Sequence, residues 1–290
     1  MKITFRLIAP LFLFLTILAY LLGSGMAHYL GLLKDSLSLY LGLAWVLLVQ
    51  GAVFLLAEYH RPAAQPYHDE ETPRQRIALR TLLLQVSAAL LVLAGGVTVL
   101  MGVIGYLHTL VALYLALIFI SMMIYAIPPA MLFRRGYGEL ILAFHMSAFV
   151  PGLAFVLQAG EFHRILVTFT FPLTLLGLAF LLALNFQSFA SDQKYGRNSL
   201  LIRLTWQRSI PLHHILILVA YILLAAAPLL GFPWAITWPV LLTIPLGLLQ
   251  IFWLNRISVG GRPVWPFFYA LSASVFGLAM YTLAVTFWIR

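Results

Sequence analysis

The chain contains nine stretches of about twenty mostly apolar residues, near 7–31, 37–58, 77–101, 105–126, 138–158, 164–187, 211–231, 233–254 and 265–288. A hydrocarbon layer about 30 Å thick is crossed by roughly 20 apolar residues in a helix. Lipid leaves no partner for unpaired backbone groups, so open sheets are excluded. The runs are continuous and rich in Leu, without the alternation of a membrane β-barrel. They predict an all-α fold, a polytopic transmembrane helical bundle of about nine spans forming one integral membrane domain over 1–290. The first run follows Lys2 and Arg6; it is too long for a signal peptide and is read as a span. Only 9% of residues are charged, against about 25% in soluble domains, so little of the chain needs a watery surface.

Charge placement orients the bundle. The formal net charge of +9 looks like a nucleic-acid signal until the basic residues are located, and no basic domain or recognition motif is present. With nine spans, Lys2, Arg6, Arg61, Arg74, Arg76, Arg80, Arg134, Arg135, Lys194, Arg197, Arg203, Arg208, Arg256 and Arg262 fall on the side of the N-terminus. Lys34, Arg164 and Arg290 fall on the other side. The asymmetry predicts a multi-pass cell-membrane protein with a cytoplasmic N-terminus. Trp206, Trp253 and Trp265 are then expected at the inner interface, and Trp234, Trp238 and Trp288 at the outer one. Two cytoplasmic loops, near 59–76 and 188–210, are longer than the rest, and long loops often carry function. The absence of cysteine removes disulfides, thiolate metal sites and a cysteine nucleophile.

Eight carboxylates are present. Glu58, Asp69, Glu70, Glu71 and Asp192 fall in or beside the two long loops, where Arg61, Arg74, Arg76, Lys194, Arg197 and Arg203 also lie. Acids able to hold Mg²⁺, interleaved with cations able to hold phosphate oxygens, suit a diphosphate substrate; ordinary solvated loop charge gives the same pattern. Gln50, Phe54, Glu58 and Arg61 recur at near-helical spacing, as do Asn185, Ser188 and Asp192. Such residues face an aqueous cavity or bond between helices. Glu139, at the start of the fifth span, complements the helix dipole. His213 and His214 are adjacent on a helix and make a poor chelate, and Gly95-Gly96 predicts close packing of the third span. Pro151 and Pro128-Pro129 bend or end helices.

The stretch Tyr125-Ala-Ile-Pro-Pro-Ala-Met-Leu-Phe-Arg-Arg-Gly-Tyr-Gly-Glu139 resembles the Y-x-x-P-P…R-G-x-G-E segment of UbiA-type intramembrane prenyltransferases, closest to the branch that prenylates dihydroxynaphthoate towards menaquinone. Asn185-Phe-Gln-Ser-Phe-Ala-Ser-Asp192-Gln-Lys-Tyr-Gly196 resembles that family's second motif, D-x-x-x-D-x-x-x-G. Gln50 to Tyr59 lies where the first motif, N-D-x-x-D, is expected. The pattern is incomplete. The first motif's Asn and final Asp are Ala57 and Arg61, leaving Glu58 as its acid. The leading Asp of the second is Ser188, and an Arg and a Lys common after the Pro pair are Met131 and Phe133.

The resemblance implies a helical bundle around a lipid-open cavity. In it, Glu58, Asp69, Glu70 and Asp192 would contact Mg²⁺, and Arg61, Lys194 and Arg135 the diphosphate. Tyr125 would line the reaction cavity, with Asp192 and Glu58 taking part in catalysis. An isoprenyl diphosphate and an aromatic acceptor would be its partners within membrane lipid. Three functions stay open: a divergent prenyltransferase acting on an aromatic or lipid acceptor, a catalytically silent member that binds isoprenoid lipid or assists an enzyme, and a small transporter. The last predicts a charged site at mid-membrane, whereas the acids here cluster at the cytoplasmic ends of the spans.

Overall fold

The computed structural model describes residues 2–62, 65–67 and 71–290, with side chains from Pro10 onward. Among the described residues, nine helices are long and apolar enough to cross a membrane, and no strand is present. They are Lys2–Tyr29, Ser36–Tyr59, Pro73–Ile104, Thr109–Ala126, Gly138–Ala159, Arg164–Lys194, Trp206–Leu230, Trp234–Ser258 and Trp265–Ile289, here the first to ninth spans. A short helix, Leu200–Leu204, lies between the sixth and seventh.

Local chemistry sets several boundaries. The Asp35 side chain caps the second span by accepting from Ser38 N at 2.8 Å. Thr72 and Gln75 form a reciprocal capping box around Pro73, which opens the third. Gly105, at φ 91°, ends the third in the left-handed conformation glycine tolerates best. In the fifth span a π-turn over His145–Phe149 precedes Pro151, whose ring nitrogen cannot join the helical ladder. The Pro151 carbonyl fills the space where a side chain at Gly23 would stand, so the first and fifth spans approach backbone to backbone.

The first, fifth, sixth and ninth spans form the inner layer. Within their most apolar windows the fifth and sixth are 72% buried and the third only 17%. The third therefore lies outside, packed along the second. This corrects the expectation for Gly95-Gly96: both are exposed, with open space where a side chain would project.

The interior is aromatic and locally polar. Phe54 meets Phe12 edge-on at 5.6 Å, Phe12 meets Phe180 at 6.0 Å, and Phe180 stacks on Phe276 at 5.7 Å. One turn deeper than Phe54, Gln50 Oε1 accepts from Thr16 Oγ1 at 2.5 Å and lies 3.2 Å from His145 Nε2. A second buried group joins Gln250 to His213 at 2.8 Å and to Ser272 at 2.9 Å. These contacts join spans by hydrogen bonds, each worth roughly 0.6–2 kcal/mol in a membrane.

Candidate functional site

The polar chemistry collects at one end of the bundle, the basic end, where the second, fourth, sixth and eighth spans finish and the third, fifth, seventh and ninth begin. Glu58 closes the last turn of the second span and is ion-paired with Arg61, three residues on. The Arg61 guanidinium also lies over the Tyr67 ring, 4.7 Å from its centroid. Tyr67 Oη donates to the Glu58 carbonyl at 2.6 Å, and Arg80 Nη2 donates to the Arg61 carbonyl at 2.7 Å. Arg76 Nη2 donates to the carbonyls of Pro62 at 2.8 Å and Gln65 at 3.1 Å. The start of the third span thus holds the described part of the first long loop against the end of the second.

The opposite wall comes from the segment before the fifth span and the end of the sixth. The chain turns through a cis Pro128-Pro129 bond, a left-handed Met131 and Gly136 at φ 74° before Gly138 begins the helix. A side chain at Gly136 would run into Arg203 and the Asn198 carbonyl, and one at Gly138 into the Phe133 backbone. That closeness lets Asn198 N donate to the Arg134 carbonyl at 3.0 Å and Arg197 Nε to the Phe133 carbonyl at 3.2 Å.

Two acids then converge on one guanidinium. Asp192, 6% exposed, accepts from Ser188 Oγ at 3.0 Å and places Oδ1 3.6 Å from Arg197 Nη1. Glu139, 4% exposed, accepts from Asn185 Nδ2 at 2.7 Å and Leu200 N at 3.3 Å, with Arg197 Nη2 3.9 Å away. Burial alone would pull the Arg197 guanidinium down. The surrounding Asp192, Glu139, Tyr125 and Glu58 outweigh it and hold the group above its ordinary range. Tyr125 is buried at the end of the fourth span, with its ring 5.7 Å from that of Phe133.

Of the residues singled out in the sequence, Glu58, Arg61, Tyr125 and Asp192 stand in this cluster. Lys194 is exposed and lies over the Tyr195 ring at 5.3 Å, and Arg135 is exposed as well. Neither is drawn into the cluster, where Arg197 is the cation instead. Glu139 is more than a partner for the helix dipole, because it ties the fifth span to the sixth. Asp69 and Glu70 lie outside the described residues. A cavity of about 410 Å³ nearby, lined by Phe189, Gln193, Ile202, Thr205, Trp206 and Gln207, contains none of the clustered acids.

The Mg²⁺ that the resemblance implies can be tested against the donors. Among the described residues no three His, Asp or Glu side chains converge on a metal-sized position. Glu58 and Asp192 each already face a guanidinium. The described donors form no closed cage for a divalent metal, and their nearest charged partners are guanidinium groups.

Fold and site together define an intramembrane protein with an aromatic interior and a buried cluster of arginines and acids at its basic end. The family model described as the UbiA prenyltransferase family matches residues 66–272. The chain belongs to the UbiA prenyltransferase family. Among solved structures, one described as "Structural and mechanistic insights into the biosynthesis of Digeranylgeranylglyceryl phosphate synthase in membranes" shares the fold. It has a TM-score of 0.57 and 15% identity, over 96% of this chain and 92% of that one. No curated protein matches the sequence.

Proposed function

We propose that this chain transfers an isoprenyl group from its diphosphate to an aromatic acceptor. It would sit in the cell membrane with its N-terminus and the site facing the cytoplasm, in menaquinone or other isoprenoid-lipid synthesis. The observation that carries this reading is the position of Arg197. It stands 3.6 Å from Asp192 and 3.9 Å from Glu139, acids of two different spans, at the end of the bundle that the Phe54–Phe12–Phe180 interior adjoins.

An isoprenyl diphosphate has the matching division, an anionic head and an apolar chain. Each CH₂ buried among the aromatic rings contributes about 0.8 kcal/mol. In the reaction the allylic C1–O bond breaks and its electron pair leaves on the diphosphate. An acceptor ring carbon bonds to C1 and the ring then loses its proton to water or to the departing diphosphate. Arg61 and Arg197 would offset the charge gathering on the leaving oxygens, as fixed charges aimed at a transition state do. Asp192 and Glu139 would hold Arg197 in place, and Tyr125 would border the allylic centre. Lys194 and Arg135, at the rim, would draw the anionic donor towards the mouth.

The test is release of diphosphate by the purified protein from geranylgeranyl diphosphate, with dihydroxynaphthoate and a panel of other phenols. Release that falls by about a hundredfold or more in Asp192→Ala is the expected result, the scale of losing one electrostatic contributor. Binding of donor without release with any acceptor would favour the silent, lipid-binding member. Absence of both would overturn the reading.

A further inference from the structure

We infer that the site holds a diphosphate head with its own arginines in place of a divalent metal, an inference that rests on the functional reading above. Two acids are missing from the resembled motifs, and what replaces each is informative. Where the first motif has its final Asp, this chain has Arg61, and Arg61 is ion-paired with Glu58, the acid that remains. Where the second has its leading Asp, it has Ser188, and Ser188 Oγ donates to Asp192, again the acid that remains, at 3.0 Å. Each replacement thus turns a partner acid, which would have shared a metal, into a donor that satisfies the survivor directly.

Arg197 completes the substitution. It reaches Asp192 at 3.6 Å and Glu139 at 3.9 Å. Its side chain stays 35% exposed, unlike the 4% and 7% of the acids it faces. The Arg197 side chain is therefore more open to solvent than the acids it faces. Arg61 and Arg197 together carry the charge of one divalent cation. A metal entering between Glu58 and Asp192 would have to displace both from their acids, at a cost in unpaired charge that no described carboxylate offsets. Planar guanidinium forks match phosphate oxygens in geometry as well as in sign.

The field around them has the right sign for an anion. Arg80 is fastened to the Arg61 carbonyl at 2.7 Å. The basic end carries fourteen Lys and Arg against six acids (Glu58, Asp69, Glu70, Glu71, Glu139 and Asp192). The acids of the mouth thus fix cations in place without neutralising that end.

The experiment measures binding of radiolabelled geranylgeranyl diphosphate to the full chain in nanodiscs, once in EDTA and once in millimolar Mg²⁺. The expected affinities agree within about twofold, while Arg61→Gln and Arg197→Gln each weaken binding by about tenfold or more with no rescue by Mg²⁺, the scale of a charge-assisted hydrogen bond. Arg61→Asp restores an acid beside Glu58 and should make binding depend on Mg²⁺, a gain that a merely misfolded variant would not show. Wild-type binding that collapses in EDTA and returns with Mg²⁺ would overturn the inference and leave the functional reading intact. It would also point to Asp69 and Glu70 as metal ligands, which Asp69→Asn and Glu70→Gln would check. No binding in either condition would overturn both.

Discussion

Asn185 donates from Nδ2 to Glu139 Oε1 across 2.7 Å, fastening the sixth span to the first turn of the fifth. Glu139 is 4% exposed, so removing that donor strips a buried carboxylate of its shortest contact. Asn185→Leu should cost about 1–3 kcal/mol, the range for a buried polar group losing its partner. It is read as a lowered thermal midpoint in detergent. Glu139→Gln should cost less, because an amide oxygen still accepts from Asn185 and Leu200 N. If Asn185→Leu were neutral, the link would not brace the mouth.

Gly136 gives a second test of the same wall. Its φ of 74° and its contact with Arg203 and the Asn198 carbonyl leave no room for a methyl group. Gly136→Ala should destabilise by about 1–2 kcal/mol from the left-handed backbone alone. It should also loosen the turn that carries Arg197, so donor affinity falls together with the thermal midpoint.

The opposite end of the bundle has its own titration. Although burial pushes the other way, bonds from Ser38 N and Tyr106 Oη hold the Asp35 carboxyl below its ordinary range. A carboxylate depressed by folding stabilises the fold above its unfolded pKa and loses that contribution as pH falls through the folded value. The difference in thermal midpoint between wild type and Asp35→Asn should be full above about pH 5 and close below about pH 4. A difference that persists unchanged at lower pH would contradict this.

Orientation can be measured directly because the chain has no cysteine. Gln193→Cys and Glu161→Cys place single thiols on exposed positions at opposite ends of the sixth span. In intact cells an impermeant maleimide should label Glu161→Cys only, and Gln193→Cys should react only after lysis. The reverse pattern would place the mouth outside.

The spans were legible because a bilayer writes its demand into composition: each run of apolar residues became one span, and only the inner or outer rank of each was hidden. Gly95-Gly96 shows why. A small pair marks where a helix can pack, but only the neighbours' positions show whether it does. In the site, Glu58 and Asp192 were legible from motif position, whereas Arg197 was not distinguished from Lys194. Helix termination separates the two. The sixth span ends at Lys194 and Gly196 takes φ 66°, so Arg197 N donates back to the Asp192 carbonyl at 2.9 Å. This is the wrap of a glycine-terminated helix end, which sets the second residue past the cap beside the third from the end. The Gly196 signal was in the sequence, and reading it as a cap would have brought Arg197 over Asp192. Glu139 closes the resembled Tyr125–Glu139 segment, but its pairing was not legible, since its partners lie 46 and 61 residues away.

The third and sixth helices contain 32 and 31 residues, about 48 and 46 Å at 1.5 Å per residue, against a hydrocarbon layer of about 30 Å. Arg74, Arg76 and Arg80 mark the overhanging turns of one, Asp192 and Lys194 those of the other. With both excesses at the basic end, the two overhangs would raise a collar above the oil, and the place where a donor would be cleaved would be a shoreline. Diphosphate formed there would drain to water, while the prenylated product would have only lipid to return to. Sorting of the two products would then follow from helix length, with no gate and no moving part.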